Sequence, residues 1–489
     1  MIDSCWPSIA VVAILILSGY GLLACLQFKA ASGPERFGLA FASGTAWLGF
    51  LTITVGALGF FSPLVIIPLL LLPTLGLLKG VRGERKGKTA SNSAMRAWIG
   101  FFPVLPLVLL SFWFALQRPV WSIDALRRWV LHAQWTADEF TPVPERIESP
   151  EWADAHPSYP PLVSAVLALS LQLGGDRDEG LRIVFPTYLL ALLCVLYGYA
   201  RRRAPPLVAT CLTLVLATTP CFSVLDAQAG SYGLGADTAL ADIPLALFLT
   251  ALAALVLDAL SSGGASATSR WRLAAIVGIG AVLTKNEGML FAPLMIGMSA
   301  LVACFVPKMT RLGSARRALV GLTSVLVLTG LLWKWVARDM TVRAGEEYLS
   351  AGVLSSLSAG FERALAIGER MFAQLADTGL WGVLWLCPLI WCIWYVAQFS
   401  GFTREQRIRR ALPFLWVLAS LCMVFGAYVA TGWKNGAWER LMDVSLARLL
   451  IHHAPLALIL VCDLFQPEAE RDALDAESSE TLAPQELAV

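Results

Sequence analysis

The sequence predicts an all-α protein, a polytopic transmembrane helical bundle. Of its 489 residues, 57% are hydrophobic and only 15% are charged, against about 25% charged in an average soluble domain. Lipid requires this deficit, because each charge at mid-bilayer costs roughly 2.5 to 3.5 kcal/mol. The apolar runs are continuous, whereas the strands of a membrane barrel alternate in character over about 10 residues. Helices are therefore favoured over a barrel.

We predict about 13–14 membrane segments, since a helix needs about 20 residues to cross the hydrocarbon core. Segment 160–174 is short for a full crossing. The two runs around Lys285 are compatible with two short helices that meet inside the membrane. The runs lie at 7–28, 37–58, 61–79, 97–117, 160–174, 182–200, 205–222, 239–260, 272–289, 290–306, 316–336, 378–398, 411–431 and 449–465.

Basic residues in short loops orient the bundle, because cytoplasmic loops carry an excess of Lys and Arg. These residues concentrate in the loops 79–96, 307–317 and 404–410, which we therefore predict to be cytoplasmic. The N-terminus is then outside. The other outside segments are the first outside loop, 118–159, and then 223–238, 337–377 and 432–447.

One basic run, Arg201, Arg202 and Arg203, conflicts with this orientation. Strict alternation of the segments puts the triplet outside, against the rule for basic residues. If segment 160–174 does not fully cross, the triplet faces the cytoplasm. We prefer the version in which it does not cross.

The first outside loop contains an acid, a guanidinium and an imidazole at regular helical spacing. Asp124, Arg128 and His132 are spaced i, i+4 and i+8, which places them on one stripe of a helix. Trp121, Trp129 and Trp135 suit a helix that lies in the membrane interface. Such a stripe suits an anionic, lipid-linked substrate. An amphipathic interfacial helix with an ordinary Asp–Arg pair is the alternative.

The same loop ends in a proline-rich entry to the next helix. The sequence from His156 to Pro161 places Tyr159 directly before two adjacent prolines, which fix the entry of the chain into a helix. His156 and Tyr159 are candidates for substrate contact, and a purely structural role at the helix entry is the alternative. Asp154 precedes them as a further candidate acid.

Two acids mark the start of the span at 239–260. Asp242 enters an apolar run, where an ionisable side chain indicates a functional site by default. Asp237 precedes it by five residues, so the two carboxylates do not stack squarely on one helix face. Asp237 is either a substrate contact or a helix cap.

Two further groups of polar residues interrupt the later spans. Lys285 and Glu287 lie in Thr-Lys-Asn-Glu-Gly and, if buried, need partners in each other or in the acids above. Arg448 and His452 are four residues apart on one helix face, an arrangement that can hold a phosphate. The alternatives are a structural pair for the first group and an Arg that snorkels to the headgroups for the second.

Taken in order, these motifs resemble those of bacterial membrane glycosyltransferases of the GT-C superfamily. Relatives of that kind include protein O-mannosyltransferases and lipid A aminoarabinose transferases. The resemblance covers roughly residues 97–460 and rests on the Asp-led loop helix, His-Pro-x-Tyr-Pro-Pro, Ala-Asp-Ile-Pro-Leu, Thr-Lys-Asn-Glu-Gly and Arg-Leu-Leu-x-His-x-x-Pro. It implies a GT-C-like fold and an inverting enzyme that takes a sugar from a polyprenyl phosphate on the outer face of the membrane.

The resemblance also implies roles for individual residues. Asp124 matches, by its place in the chain, the acid that activates the acceptor, although a paired acidic signature is absent. Asp154 and Asp242 are therefore rival catalytic acids. Lys285, Arg448 and His452 are candidates for the donor phosphate. The remaining predicted substrate contacts are Arg128, His132, His156, Tyr159, Asp237 and Glu287.

The chemistry of the reaction agrees with these residue types. A lipid phosphate is a good leaving group that needs cationic stabilisation, which Arg and Lys supply. An acceptor hydroxyl is a poor nucleophile and benefits from a carboxylate base. No metal ligand set is evident, so we predict a mechanism without metal or other cofactor. The expected partners are the polyprenyl-phosphate sugar, a lipid, glycan or protein acceptor, and membrane lipids, but no nucleic acid.

The sequence further predicts a location and a domain organisation. The location is the bacterial inner membrane, with the site facing the periplasm. The predicted parts are accessory transmembrane helices (1–96), a catalytic module (97–310), C-terminal transmembrane helices (311–466) and an acidic, disordered cytoplasmic tail (467–489).

Two other functions compete with glycosyl transfer. A transporter or flippase of a lipid-linked or anionic substrate would use the same intramembrane charges, and inverted repeats would favour it. An O-antigen ligase or polymerase would rely on a large outside loop late in the chain, for which 337–377 is the candidate.

Overall fold

The structure, a computed structural model, is an all-α bundle. In the part of the chain that it describes, no residue belongs to a β-strand, and nine helices are long and apolar enough to cross a membrane. Four further apolar helices are shorter. The chain is thus a multi-pass membrane protein, as the sequence predicts. The described residues are 2–30, 32–77, 90–117, 120, 122, 124–145, 159–174, 178–222, 238–262, 264–307, 310–338, 353–430 and 437–465.

We number the α-helices in chain order. The first nine are α1 (Ile2–Cys25), α2 (Gly33–Thr54), α3 (Pro63–Leu71), α4 (Ala90–Phe101), α5 (Leu105–Gln117), α6 (Leu131–Glu139), α7 (Leu162–Gly174), α8 (Val184–Arg203) and α9 (Pro206–Thr218). The others are α10 (Asp242–Ser261), α11 (Gly264–Thr284), α12 (Asn286–Cys304), α13 (Arg311–Val336), α14 (Val353–Ala376), α15 (Thr378–Trp381), α16 (Leu386–Gln398), α17 (Arg404–Ala430), α18 (Ala437–Ile451) and α19 (Ala454–Cys462).

Several helix starts follow directly from the sequence. Ser32 caps α2 by accepting a hydrogen bond from the Glu35 backbone N–H at 3.2 Å, and Thr310 caps α13 by accepting one from Gly313 at 3.1 Å. Each cap satisfies one of the backbone donors that the first helical turn leaves unpaired. Pro206 opens α9, where a missing N–H costs nothing.

Helix α10 is the centre of the bundle. Every residue from Asp242 to Leu260 is buried, and α10 contacts α8, α11, α12, α13, α18 and α19. It carries an acid near each terminus, Asp242 as its first residue and Asp258 one turn before its last. These two acids are about 24 Å apart along the helix axis. They give names to the two ends of the bundle, the Asp242 end and the Asp258 end.

The N-terminal helices belong to the same hydrophobic core. Helices α1 and α2 cross so closely that a Cβ atom on Gly44 would lie 1.9 Å from the Leu15 carbonyl oxygen. Only glycine permits this approach of two backbones. Helix α2 in turn packs against α8 and α11, next to the central helix.

Helix α7 lies entirely at the Asp242 end of the bundle. Its 13 residues span about 20 Å, well short of the roughly 30 Å hydrocarbon core. Near its C-terminus, the Gln172 amide donates to the carbonyls of Phe61 and Ala137 at 3.0 and 3.1 Å. Just before its N-terminus, Tyr159 packs on Trp129 of the first outside loop. Segment 160–174 therefore does not cross, in agreement with the preferred interpretation of the sequence.

The arginine triplet lies at the opposite, Asp258 end. Arg202 and Arg203 both form ion pairs with Asp258. Arg311, from the second predicted cytoplasmic loop, donates to the Ser261 carbonyl at 2.8 Å, and Arg410 from the third donates to the Asp463 carbonyl at 3.2 Å. The triplet thus shares one end of the bundle with two predicted cytoplasmic loops, as the version without a crossing at 160–174 requires.

Several span boundaries differ from the sequence prediction. The chain breaks at Lys285 and not near 289, so α11 and α12, with 21 and 19 residues, are each long enough to cross. Of the two, α12 is among the nine described helices long and apolar enough to cross, and the alternative of two helices that meet inside the membrane stays a prediction. Helix α17 begins inside the basic loop at Arg404, and the last span begins at Ala437 with a break at His452 and His453. Polar residues extend these helices beyond the apolar runs from which the spans were predicted.

Candidate functional site

Asp242 is the centre of a buried cluster of charged residues. Its Oδ1 accepts hydrogen bonds from Lys285 Nζ and from His452 Nε2, each at 2.9 Å, and its Oδ2 accepts one from Arg448 Nε at 3.1 Å. The carboxylate lies in the first turn of α10, where the helix dipole favours negative charge. Three of the basic residues predicted from sequence therefore meet at one of the predicted acids.

Arg448 joins this cluster to the first outside loop. Its Nη1 forms an ion pair with Asp124 Oδ2, while its Nε remains bound to Asp242. Asp124 also lies 3.7 Å from Arg128, its i+4 neighbour. Two of the three candidate catalytic acids thus share one guanidinium, although they lie far apart in the sequence.

The two acids differ in their access to solvent. The Asp124 side chain is 32% exposed and the Asp242 side chain only 4%. Partial burial by itself would raise the pKa of Asp124, but Arg448 and Arg128 outweigh it and hold this pKa below its ordinary value of 3.8. Asp124 is therefore a carboxylate at neutral pH and the more accessible of the two.

The break between α11 and α12 places Lys285 inside the cluster. The extended backbone of Lys285 separates the two helices, and its Nζ lies 3.0 Å from Glu287 Oε1 as well as beside Asp242. The turn from α11 into α12 is tight, because a Cβ atom on Gly288 would lie 2.0 Å from the Ala281 carbonyl oxygen. The buried Lys285 thus pairs both with its neighbour Glu287 and with an acid of another helix, as the sequence analysis allowed.

Tyr159 forms an aromatic surface beside Arg128, which is an ion-pair partner of Asp124. The Arg128 guanidinium lies over its ring at 5.7 Å from the centroid, and Trp129 packs edge-on at 5.4 Å. The ring of Tyr159 is only partly buried. A partly exposed aromatic ring that shares an arginine with a carboxylate can hold one face of a sugar.

The predicted stripe in the first outside loop holds only in part. Residues Ala125–Val130 form a π-helical turn, whose i→i+5 bonding shifts the residues that follow relative to a regular helix. Asp124 and Arg128 still pair, while His132 is buried beside Trp135, with ring centroids 5.7 Å apart. Trp129 and Trp135 are also buried in the protein, so their predicted position at the headgroup layer is wrong, while Trp121 lies outside the described residues.

Two residues around the cluster, His453 and Lys334, are not among the predicted site residues. His453 follows His452 and packs edge-on against Phe291, at 4.1 Å between ring centroids. Lys334 donates from Nζ to Asn286 Oδ1 at 3.2 Å. Asn286 belongs to the quoted Thr-Lys-Asn-Glu-Gly motif, whereas Lys334 carries no signal beyond its place at the end of an apolar run.

Arg370 of the late outside loop, 337–377, forms its ion pairs at the surface of the bundle and not in the cluster. Arg370 on α14 pairs with Asp443 at 2.7 Å and lies 3.6 Å from Glu439, both on α18. All three side chains are exposed. This contact attaches α14 to the surface of the bundle.

Three predicted site residues, Asp154, His156 and Asp237, lie outside the described residues. Within the described ranges, no group of three His, Cys, Asp or Glu side chains is arranged to hold a metal ion. A mechanism without metal stays a prediction.

The charged cluster thus brings together eight of the predicted site residues at one end of the bundle. No family model, curated protein or solved structure matches the chain. The resemblance to GT-C glycosyltransferases therefore rests on the sequence motifs alone. The members that contact one another are Asp124, Arg128, Tyr159, Asp242, Lys285, Glu287, Arg448 and His452, with His132 beside them in the helix that carries Asp124.

Proposed function

We propose that the protein is an inverting glycosyltransferase with a GT-C-like architecture. It moves a sugar from a polyprenyl phosphate to a hydroxyl or amine of an acceptor. The observation that carries the proposal is the shared guanidinium of Arg448, which links a partly exposed carboxylate, Asp124, to a buried one, Asp242. A candidate base and a candidate phosphate ligand are thereby held next to each other at one end of a lipid-embedded bundle.

The basic residues suit the donor phosphate. Arg448 offers a planar fork of N–H donors that matches a phosphate, and Lys285 and His452 surround the same carboxylate. Arg448 can stabilise the negative charge that develops on the departing polyprenyl phosphate, while the buried Lys285 and His452 hold Asp242, and through it Arg448, in place. Asp242 orients all three and is a positioning residue in this proposal.

Asp124 is the base. It is an accessible carboxylate whose partner Arg128 lies over the ring of Tyr159, whereas Asp242 already accepts three hydrogen bonds and is buried. An acceptor hydroxyl must come within hydrogen-bond reach of its base, which excludes a buried and saturated carboxylate. The third candidate, Asp154, lies outside the described residues.

The reaction is a single displacement. The acceptor oxygen attacks the anomeric carbon, the bond from that carbon to the phosphate oxygen breaks, and its electron pair leaves with the polyprenyl phosphate. The acceptor proton passes to Asp124. A donor phosphate that binds Arg448 competes with Asp124 for the guanidinium, so donor binding raises the basicity of Asp124 when it is needed.

The orientation follows from the basic loops. Arg202, Arg311 and Arg410 lie at the Asp258 end, and basic residues of short loops mark the cytoplasmic side. The Asp242 end then faces the outside, which is the periplasm if the membrane is a bacterial inner membrane. Polyprenyl-phosphate sugars presented on that face are the donors in this proposal.

One assay tests the proposal. Purified protein in detergent is given polyprenyl-phosphate sugars of several kinds with a mixture of cell-envelope lipids and glycans, and the release of polyprenyl phosphate is followed by mass spectrometry. We expect release that depends on an acceptor. If no donor is consumed with any acceptor, although the protein is folded, the proposal is wrong.

A transporter or flippase is the second candidate. The observation that favours it is the presence of buried ion pairs at both ends of α10, because a transporter needs a closure on each side of its path. Protein in liposomes would then move labelled polyprenyl-phosphate sugar between leaflets without cleaving it. Movement without release would replace the proposed enzyme by this candidate.

A further inference from the structure

A cation lies between the charged cluster and the lipid-facing surface of the bundle. Lys334 is in the last turn of α13, and its Nζ donates to Asn286 Oδ1 at 3.2 Å. Asn286 stands in the chain between Lys285 and Glu287, two members of the Asp242 cluster. The Lys334 ammonium is thus directed towards the cluster from the outer flank of the bundle.

The surface that continues from Lys334 is apolar and exposed. On α13, Leu331 and Val327 precede Lys334 by three and seven residues, which places them on its face of the helix. On α12, Leu290 follows Asn286 by four residues. These side chains are 60%, 41% and 61% exposed, and they form an apolar strip that leads from Lys334 and Asn286 towards the Asp258 end.

Neighbouring aromatic residues place Lys334 at headgroup depth. Trp335 is exposed next to it, and the Arg338 guanidinium lies over the Trp335 ring at 5.9 Å. Trp and basic side chains at the end of a span favour the headgroup layer. A lysine at this depth is free to extend to bulk water, but Lys334 instead donates to Asn286 on the neighbouring helix.

A phosphate with a long apolar chain fits both features at once. Its phosphate would meet Lys334 at headgroup depth, and its chain would lie along the strip on α12 and α13. There the phosphate would lie next to Asn286, the chain neighbour of Lys285 and Glu287 in the Asp242 cluster. A phosphate without a chain would contact only the Lys334 ammonium, and an uncharged polyprenol would contact only the apolar strip.

We propose that Lys334 is the first phosphate contact of the polyprenyl-phosphate donor, which enters the site sideways from the membrane between α12 and α13. This inference rests on the proposed function and adds a binding residue to it. Lys334 acts before the chemical step, so it governs capture of the lipid and not the rate of the displacement.

Undecaprenyl phosphate without a sugar is a direct probe. Its binding to the purified full-length protein in detergent is measured by native mass spectrometry, next to undecaprenol, inorganic phosphate and phosphatidylglycerol. We expect Lys334→Met to weaken binding of undecaprenyl phosphate about tenfold, as for loss of one charge-assisted contact. Undecaprenol should bind both proteins equally, and Lys334→Arg should restore binding of the phosphate.

Arg317→Met is the matched control, because Arg317 is an exposed cation on the same helix at the Asp258 end. It should bind undecaprenyl phosphate as the unchanged protein does. Equal affinity of Lys334→Met and the unchanged protein would overturn the inference. So would equal affinity of the unchanged protein for phosphatidylglycerol, since Lys334 would then hold ordinary membrane lipid.

The experiment separates this inference from the proposed function. Binding of undecaprenyl phosphate that depends on Lys334, without release from any polyprenyl-phosphate sugar, would refute the enzyme and keep the binding residue. Release by the unchanged protein and by Lys334→Met with the same KM for the donor would keep the enzyme and refute the role of Lys334.

Discussion

Both ends of α10 contain a buried carboxylate, and the two ends differ in how the charges around it are paired. At each end a buried Asp of one helix meets basic residues of others, Asp242 with Lys285 and Arg448, and Asp258 with Arg202 and Arg203. At the Asp258 end the network closes on Glu35, an almost completely buried acid. At the Asp242 end it continues to Asp124, which is partly exposed.

This difference separates a structural cluster from a candidate site. Burying charged groups costs free energy, which is offset only when the charges are closely paired. A network in which every charge has a partner inside the protein achieves this offset without a ligand. The network at Asp242 is open on one side, beside an aromatic ring and the lipid-facing Lys334. Substitutions at the two ends are therefore expected to affect different quantities.

The largest effect is expected on the rate of sugar transfer. Asp124→Asn removes the base without changing its size, and we expect the rate to fall about a thousandfold while the protein still inserts and binds donor lipid. The measurement is acceptor-dependent release of polyprenyl phosphate. Asp258→Asn, at the other end, should keep its rate per folded molecule. Full activity of Asp124→Asn would rule out its role as base.

The free energy of unfolding should fall more for a substitution at the Asp258 end than for one at the Asp242 end. Asp258→Asn removes the carboxylate that pairs with both Arg202 and Arg203 and leaves Arg203, among the described carboxylates, only its electrostatic interaction with Asp463, and breaking a buried pair costs about 3 to 5 kcal/mol. Asp242→Asn should cost less, because Glu287 still pairs with Lys285 and Asp124 still pairs with Arg448. The thermal unfolding midpoints of the purified variants in detergent test this. A lower midpoint for Asp242→Asn than for Asp258→Asn would contradict it.

A smaller effect is expected on donor affinity. Arg448→Ala removes the fork that faces the donor phosphate, and we expect donor binding to weaken about tenfold with little change in acceptor binding. Arg440→Ala is the matched control, since Arg440 is exposed on the same helix. If donor and acceptor binding weaken equally in Arg448→Ala, the role of Arg448 is structural.

The smallest effect is the one that pH is expected to have on the stability contributed by Asp124. The lowered pKa of Asp124 means that its ion pairs stabilise the fold above its unfolded value near 3.8 and disappear only as the pH falls through the lower, folded value. The difference in unfolding midpoint between the unchanged protein and Asp124→Asn should therefore be constant between about pH 5 and 8. A difference that shrinks already between pH 7 and 5 would show that Arg448 and Arg128 do not hold Asp124 ionised.

The sequence predicts the members of the cluster better than their contacts. Asp242, Lys285 and Arg448 stand out because ionisable residues inside apolar runs are costly and need partners. Their pairing was left open, since Asp124 and Arg448 are 324 residues apart in the chain and no local rule joins them. Whether segment 160–174 crosses the membrane likewise depends on contacts with residues distant in the chain, so the sequence left two topologies open.

Two features of the structure could not be predicted from the sequence, for different physical reasons. Trp129 and Trp135 look like interfacial residues, but whether an indole faces headgroups or protein depends on what packs against it, and here the protein buries both. Lys334 looks like any lysine at the end of a span. Its hydrogen bond to Asn286 distinguishes it from a side chain that extends to water.

The short helix α7 has a consequence for how the protein is made. Its flanks both remain at the Asp242 end, held there by Gln172 and Tyr159, and its 13 residues are too few to be released into lipid as an independent span. The insertion machinery must therefore pass this segment through as if it were a loop. Its apolar surface is buried only when α1, α2 and α6 have assembled around it, so burial of α7 depends on helices that are synthesised before it.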